Sequence, residues 1–231
     1  MVLSWLNEFI SFQAVGLQRS TGRNIVMNQT PLAAPETIMI LEVPVHRVTM
    51  NQTLELARLY MMGTRCHQIA TVNPEFVMAA GKDPQFMRVL RSADLCIPDG
   101  IGLVHASRWM GTPLPERVAG SELVYSLAEE AARSGWRLFL LGAAPGVADE
   151  AAARFQELYP DLEIAGTYAG SPSIAQNASI VSLINQSKAD ILFVAYGAPN
   201  QDKWIARNQE VLSTVRLAIG VGGSLDFVAG R

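Results

Sequence analysis

The chain has only two cysteines, Cys66 and Cys96, and three histidines in 231 residues, too few for a disulfide framework and in spacings that show no metal cluster. Neither cysteine sits in a C-x-x-C spacing, and both lie in apolar surroundings, which reads as reduced core thiols. His46, His67 and His105 stand singly and read as surface or satisfied core residues. No D-x-D pair occurs, which removes the usual arrangement of close carboxylates around a divalent ion. Charge is scarce as well: charged residues are 17% of the chain, the net charge is −3 and the pI is near 5.6. With no basic surplus there is no general attraction for nucleic acid, and any anion site must be local. No apolar run approaches the eighteen or so residues of a membrane span. The first residues lack the basic start and small-residue cleavage site of a secretory leader, so the expectation is a protein that is not exported.

What the chain does have is apolar residues, at 49% of the total, with mean hydropathy +0.19. That composition implies a large buried sheet or a surface that a partner or a membrane covers, and homo-oligomerisation is one form such cover takes. Residues 1–36 differ from the rest. Trp5, Leu6, Phe9, Ile10 and Phe12 keep roughly helical spacing, and a polar stretch rich in Thr, Asn and Pro follows. This extension reads either as an amphipathic segment for a membrane surface or partner, or as a disordered lead-in. From Thr37 onward short apolar runs alternate with helical spacing. Runs begin near residues 38, 67, 95, 136, 162, 191 and 217, with helices expected over 49–62, 74–80, 84–92, 101–110, 121–134, 147–158, 174–188 and 199–208. Ser121 is the expected cap of the fifth helix and Gly135 its stop. Residues 37–231 are thus expected to form a single α/β domain with a doubly wound, mostly parallel, Rossmann-like sheet.

In such a sheet ligands sit outside the carboxyl ends of the strands. Five strand ends carry polar or glycine-rich turns: Thr71 to Asn73, Asp99-Gly100, Gly142 to Gly146, Gly197 to Trp204, and Gly222-Gly223-Ser224. Helix N-termini behind these turns offer free N–H groups to an anion, which favours a phosphate-bearing ligand. None of the turns has P-loop spacing, and Gly142 to Gly146 is not G-x-G-x-x-G. Each polar residue also has a plainer role open to it. Asn73 before Pro74 fits a helix cap; Asp99 fits either a turn residue or a base; Arg117 is either a solvated charge or a diphosphate clamp in a Pro-rigid loop. Gln201 and Lys203 fit a helix turn facing water, and Asp226 fits a cap or a nucleobase contact.

Six segments occur in order: T-x-N-P-E from Thr71, P-D-G-x-G from Pro98, E-R-V-A-G from Glu116, G-A-x-P-G from Gly142, G-x-P-x-Q-D-K-W from Gly197 and G-V-G-G-x-L-D-F from Gly220. Together they closely resemble the WecG/TagA/CpsF family of bacterial glycosyltransferases over residues 37–231. The resemblance implies inverting, metal-independent transfer, with no cofactor, of an N-acetylmannosamine-type sugar. The donor would be a UDP-sugar and the acceptor an undecaprenyl-diphosphate-linked GlcNAc at the inner face of the cytoplasmic membrane, for a teichoic acid or surface polysaccharide. It further implies Asp99 as general base with Thr71 and Asn73 beside it, Arg117 and Gln201 as donor contacts, and Asp226 near the uridine. Glycines 142, 146, 197, 222 and 223 would shape the substrate turns. Family members continue beyond the Gly230-Arg231 position into a basic, amphipathic tail, so residues 1–231 alone are expected to turn over weakly or not at all. A non-catalytic nucleotide-sugar or dinucleotide module, and an oligomeric structural partner, are the readings of other classes.

Overall fold

The structure, a computed structural model, describes residues 34–231; the expected N-terminal extension falls almost wholly outside them. Six short apolar runs form one parallel sheet: β3 (His67–Val72), β4 (Leu95–Pro98), β5 (Arg137–Gly142), β6 (Glu163–Tyr168), β7 (Ile191–Ala195) and β8 (Leu217–Gly220). Their spatial order is β4-β3-β8-β7-β5-β6, and every neighbouring pair is parallel. β3, β4, β7 and β8 are buried along most or all of their length, which is why they read as continuous apolar runs rather than alternating ones.

Alternate residues of each strand enter different helix layers. Ile69, Ile97, Leu140, Phe193 and Ile219 pack on α1 (Met50–Met61), α5 (Gly120–Ser134), α6 (Val147–Leu158) and α9 (Ser224–Val228). The opposite face is divided. Ala70, Val72 and Cys96 meet α2 (Pro74–Ala80), α3 (Pro84–Ser92) and α4 (Ile101–Trp109), while Leu141, Leu192, Val194 and Ala218 meet α7 (Ile174–Ser187) and α8 (Asn200–Asn208). The result is a helix–sheet–helix sandwich, the doubly wound α/β fold that the alternation predicts.

Local chemistry sets several boundaries. Thr49 caps α1 in a reciprocal capping box with Gln52, and Asp83 caps α3 by accepting from two backbone N–H groups. Gly135, at φ 67°, ends α5. Two expectations need correction. The run that begins near residue 38 does not join the parallel sheet; β1 (Thr37–Ile40) and β2 (Val43–His46) make a separate antiparallel hairpin. Its two-residue turn, Leu41-Glu42, holds both residues at positive φ without a glycine or asparagine to announce it. Nor does Ser121 cap α5, which begins at Gly120 with Ala119 in the cap position and no side-chain cap.

His46 is a satisfied core residue whose Nδ1 accepts from the Cys96 N–H at 2.9 Å, and both cysteines are buried and free. Among the described residues, no helix is long and apolar enough to cross a membrane.

Candidate active site

The ends of β3 and β4 lie side by side, with Thr71 opposite Ile97 and Val72 opposite Pro98, so the two turns that follow emerge together. They are packed tightly. A Cβ on Gly100 would lie 2.9 Å from Pro74 Cδ, and one on Gly102 would lie 3.0 Å from Pro74 Cγ. Glycine at both positions is what lets the start of α4 rest on the first turn of α2. The Asp99 N–H donates to Val72 O at 2.7 Å, which fixes the Asp99 backbone to the end of β3.

The Asp99 side chain then faces the beginning of α5, close enough to the Gly120 N–H for that group to favour its ionised form. A carboxylate from another turn thus stands at the head of α5, where no side-chain cap is made. A Cβ on Gly120 would come to 3.0 Å from both Asp99 Oδ2 and Thr71 Cγ2. Asp99, Thr71 and Gly120 therefore form one close cluster. Gly120 is the site residue that the reading of single residues passed over, and its signal was the glycine closing the Glu116 to Gly120 segment.

The Asp99 side chain keeps 23% of its surface exposed. Burial pushes its carboxyl above the ordinary value, and Glu122 adds to the rise; the Gly120 N–H and the Arg117 charge pull the other way without cancelling it. Arg117 Nε stands 3.8 Å from Asp99 Oδ1, with its guanidinium half exposed toward solvent. The loop that carries Arg117 is anchored at three points. Val118 N–H donates to Pro98 O at 2.9 Å, Glu116 Oε1 accepts from Met50 N–H at 2.6 Å, and Arg47 Nε donates to Pro113 O at 3.1 Å.

Thr71 is buried, and its hydroxyl donates to Gly220 O at 3.3 Å, linking β3 to the end of β8. Asn73 does act as a helix cap, its Oδ1 accepting from Phe76 N–H at 2.9 Å. That bond occupies the carbonyl end of the amide; the residue is half-exposed, with its Cβ beside Gly100.

The middle of the edge is built around Gln201. Contrary to the expectation that Gln201 and Lys203 face water, Gln201 is 1% exposed and its Oε1 accepts from Gly222 N–H at 3.0 Å. A Cβ on Gly220 would lie 2.6 Å from Gln201 Nε2, so glycine there is what admits the side chain. Lys203 is ion-paired with Asp83. Gln201 thus ties the turn after β7, with Gly197 at φ 71°, to the turn after β8, with Gly222 at φ 53°. Gly223 and Asp226 lie on the same β8–α9 turn, Asp226 half-buried in the first turn of α9.

The far half of the edge is the turn after β5. Gly142 passes so close to β7 that a Cβ would lie 2.7 Å from Ala195 O, and its φ of 99° suits glycine alone. Gly146 precedes α6, which has no side-chain cap. A cavity of about 290 Å³ opens there, lined by Pro145, Gly146, Asp149, Thr167 and Tyr168 among others. Four strand steps of about 4.8 Å separate β4 from β5, so the Asp99 cluster and this cavity lie about 19 Å apart along one edge.

A parallel sheet with glycine turns, helix N-termini and a half-buried carboxylate along one edge defines a Rossmann-like domain. Residues 38–231 match the glycosyl transferase WecG/TagA/CpsF family, and the chain belongs to it. Among its relatives is an N-acetylglucosaminyldiphosphoundecaprenol N-acetyl-beta-D-mannosaminyltransferase of Bacillus spizizenii, 38% identical over 163 residues, which are 71% of this chain and 62% of that protein. The protein of the same name from Bacillus subtilis is 37% identical over 164 residues, with the same shares covered. That of Staphylococcus aureus strain MRSA252 is 31% identical over 193 residues, 83% of this chain and 75% of the relative. The matched stretch thus spans somewhat under two thirds of the length of the two Bacillus proteins.

Proposed function

We propose that this chain is a glycosyltransferase that moves an N-acetylmannosamine-type sugar, with inversion, from a UDP donor to a lipid-diphosphate-linked N-acetylglucosamine at the inner face of the cytoplasmic membrane. The observation that carries the reading is the Asp99 cluster: a carboxylate raised by burial, aimed by one backbone N–H, with a cation at its side and an open face. An acceptor hydroxyl placed at Asp99 gives up its proton to the carboxylate as its oxygen attacks the anomeric carbon. The bond from that carbon to the UDP oxygen breaks on the opposite side, which inverts the centre. A base of raised pKa holds the abstracted proton more firmly, and one carboxylate is enough because the leaving group is already a good anion.

Thr71 and Asn73 flank Asp99 and would position sugar hydroxyls, Asn73 through its NH₂ group. Arg117 is the cation nearest the reacting centre and would neutralise charge on the diphosphate. Gln201, buried behind the turns, would act by holding Gly222 and Gly223 in place rather than by touching the donor. The donor would lie along the edge toward α6, its nucleoside end in the cavity where Tyr168 offers a ring face and Asp149 an acceptor. Asp226 is the carboxylate on the intervening turn.

The test is transfer from UDP-N-acetylmannosamine to a short-chain lipid-diphosphate N-acetylglucosamine. Asp99→Asn should lower the rate by at least about a hundredfold while UDP still raises the melting temperature. An unchanged rate would remove Asp99 as the base. No transfer by the wild-type chain, with stabilisation by NAD and not by UDP, would replace the enzyme by a dinucleotide-binding module.

A further inference from the structure

One end of the molecule, beyond the β4 edge of the sheet, carries an apolar surface that no described element covers. On β1 and its turn, Met39 and Leu41 point outward; on α2, Met78 does so; on α4, Ile101, Trp109 and Met110 follow, Trp109 being 92% exposed. These elements are contiguous. α4 packs on β1, the start of α2 rests on the start of α4 through Pro74 and the two glycines, and all share one core cluster. Leu41 is held at the tip of the hairpin with φ 45° and 72% of its surface in water, the reverse of what a solvated turn selects.

The charges around it have one prevailing sign. Lys82, Arg88 and Arg108 are exposed and enter no ion pair or side-chain hydrogen bond among the described residues, against one exposed acid without a partner, Glu75. Arg91 pairs with Glu42 and Lys203 with Asp83, so the other acids of the region are already neutralised. An exposed tryptophan and methionines bordered by unpaired arginine and lysine match the composition of a surface that enters the headgroup layer of an anionic membrane. Position agrees with composition: α4 begins at the residue after Gly100, so the face adjoins the Asp99 cluster and ends about 12 Å further along the helix.

We propose that the face formed by the β1–β2 hairpin, α2, α4 and the adjoining α3 docks on an anionic lipid bilayer, with Trp109 and Met110 in the interfacial layer and Arg108 and the Arg88 of α3 on lipid phosphates. The proposal rests on the glycosyl-transfer reading, in which the acceptor is anchored in a bilayer; docking by this face brings Asp99 to the height of a diphosphate emerging from it.

The test is co-sedimentation of the full chain with vesicles of phosphatidylglycerol and phosphatidylethanolamine, compared with vesicles of phosphatidylcholine. The wild type should bind the anionic vesicles in preference. The double variant Trp109→Ser, Met110→Ser should bind both kinds about tenfold less, and Arg88→Glu, Arg108→Glu should lose the preference for the anionic ones. A control at the amino ends of the strands, Met62→Ser with Val211→Ser, removes exposed apolar surface away from this face and should leave binding unchanged. With a water-soluble acceptor the tryptophan–methionine variant should transfer at the wild-type rate, and with a long-chain acceptor in vesicles it should fail. Vesicle binding that ignores the substitutions, or is absent in the wild type, overturns the docking face. So does a dimer by light scattering that the same substitutions dissociate, which would make a second copy the occupant. Absence of transfer to either acceptor, with vesicle binding still lost in the variant, would instead overturn the enzymatic reading and leave the docking face standing.

Discussion

Gly120→Ala separates the geometry of the Asp99 cluster from ordinary helix stability, because the two respond with opposite signs. In the first turn of α5 an alanine should favour the helix by about 0.5–1 kcal/mol, since glycine loses more backbone entropy on folding. The added Cβ, however, lies 3.0 Å from Asp99 Oδ2 and from Thr71 Cγ2, and 3.3 Å from Thr71 Cβ. Thr71 is buried in β3 and cannot retreat, so the Asp99 carboxylate must give by several tenths of an ångström. That movement withdraws the carboxylate from the Gly120 N–H, a charge-assisted interaction of at most about 1.5–3 kcal/mol. At 1.4 kcal/mol per decade the turnover rate should fall about 10- to 100-fold. The assay is steady-state transfer with the short-chain acceptor alongside a thermal melt. The expected variant stays folded, less stable than the wild type by no more than about 0.5–2.5 kcal/mol because the helix gain offsets part of the loss, and has a lower kcat, with KM for the donor little changed. In an Asp99→Asn background the same alanine should have almost no further effect on rate, since the base is already gone. A kcat within twofold of wild type, or an equal further loss in the Asp99→Asn background, would refute the placement of Asp99 against α5.

Gln201→Ala should cost about 2–4 kcal/mol, through a cavity and an orphaned Gly222 N–H, and lower the melting temperature by roughly 4–16 °C. Gly142→Ala should give little soluble protein, because its Cβ would overlap the β7 backbone at 2.7 Å from a positive-φ position. Transfer should rise with pH through a midpoint above that of a free aspartate, because Asp99 acts ionised and burial raises its pKa; a flat acid limb in the kcat profile would contradict this. Stability carries its own pH signature. Asp202 is wholly buried with both oxygens unpartnered, and burial pushes it up to about 7, against the pull of its own N–H and the Gln201 side chain. The unfolded chain therefore releases this proton first, so its contribution is complete below about pH 4 and is lost as pH rises toward 7. Asp202→Asn should flatten that decline in melting temperature, and a decline that persists unaltered would assign it to another group.

The layered α/β sheet was legible because parallel strands buried on both faces leave short apolar runs that stand apart from the 3.6-residue spacing of the helices. Glycine and proline marked the turns that hold ligand-edge residues, and Thr71, Asn73 and Asp99 come together because consecutive strands β3 and β4 are neighbours. What escaped depends on contacts between distant segments. Leu41-Glu42 carries no turn residue, and the left-handed backbone there is imposed by the pairing of β1 with β2. Ser121 looked like a cap because the local pattern cannot show that the helix starts one residue earlier, with the Asp99 carboxylate standing at its head. Gln201 looked solvated on a first helical turn because burial against Gly220 depends on β8, which follows it in the chain.

The strand order explains why contacts between the halves escaped. β3 and β4 run outward on one side, β5 and β6 on the other, and β7 and β8 are inserted last, between the two halves. Contacts within a half are short in sequence and could be anticipated from neighbouring motifs. Contacts to the insertion, such as Thr71 to Gly220, join segments that meet only when the sheet is complete. The same insertion places the half that holds Asp99 and the half that holds the α6 cavity at either end of one continuous edge. Gln201 and Gly222 form the joint between them. A substitution at that joint should therefore disturb both halves together, raising KM for the donor and lowering kcat, whereas Asp99→Asn should act on kcat alone. Kinetic analysis of Gln201→Glu distinguishes the cases: its carboxylate can still accept from Gly222 N–H but has no donor to replace Nε2 beside Gly220. An effect on only one of the two kinetic constants would show that the halves work independently of the joint.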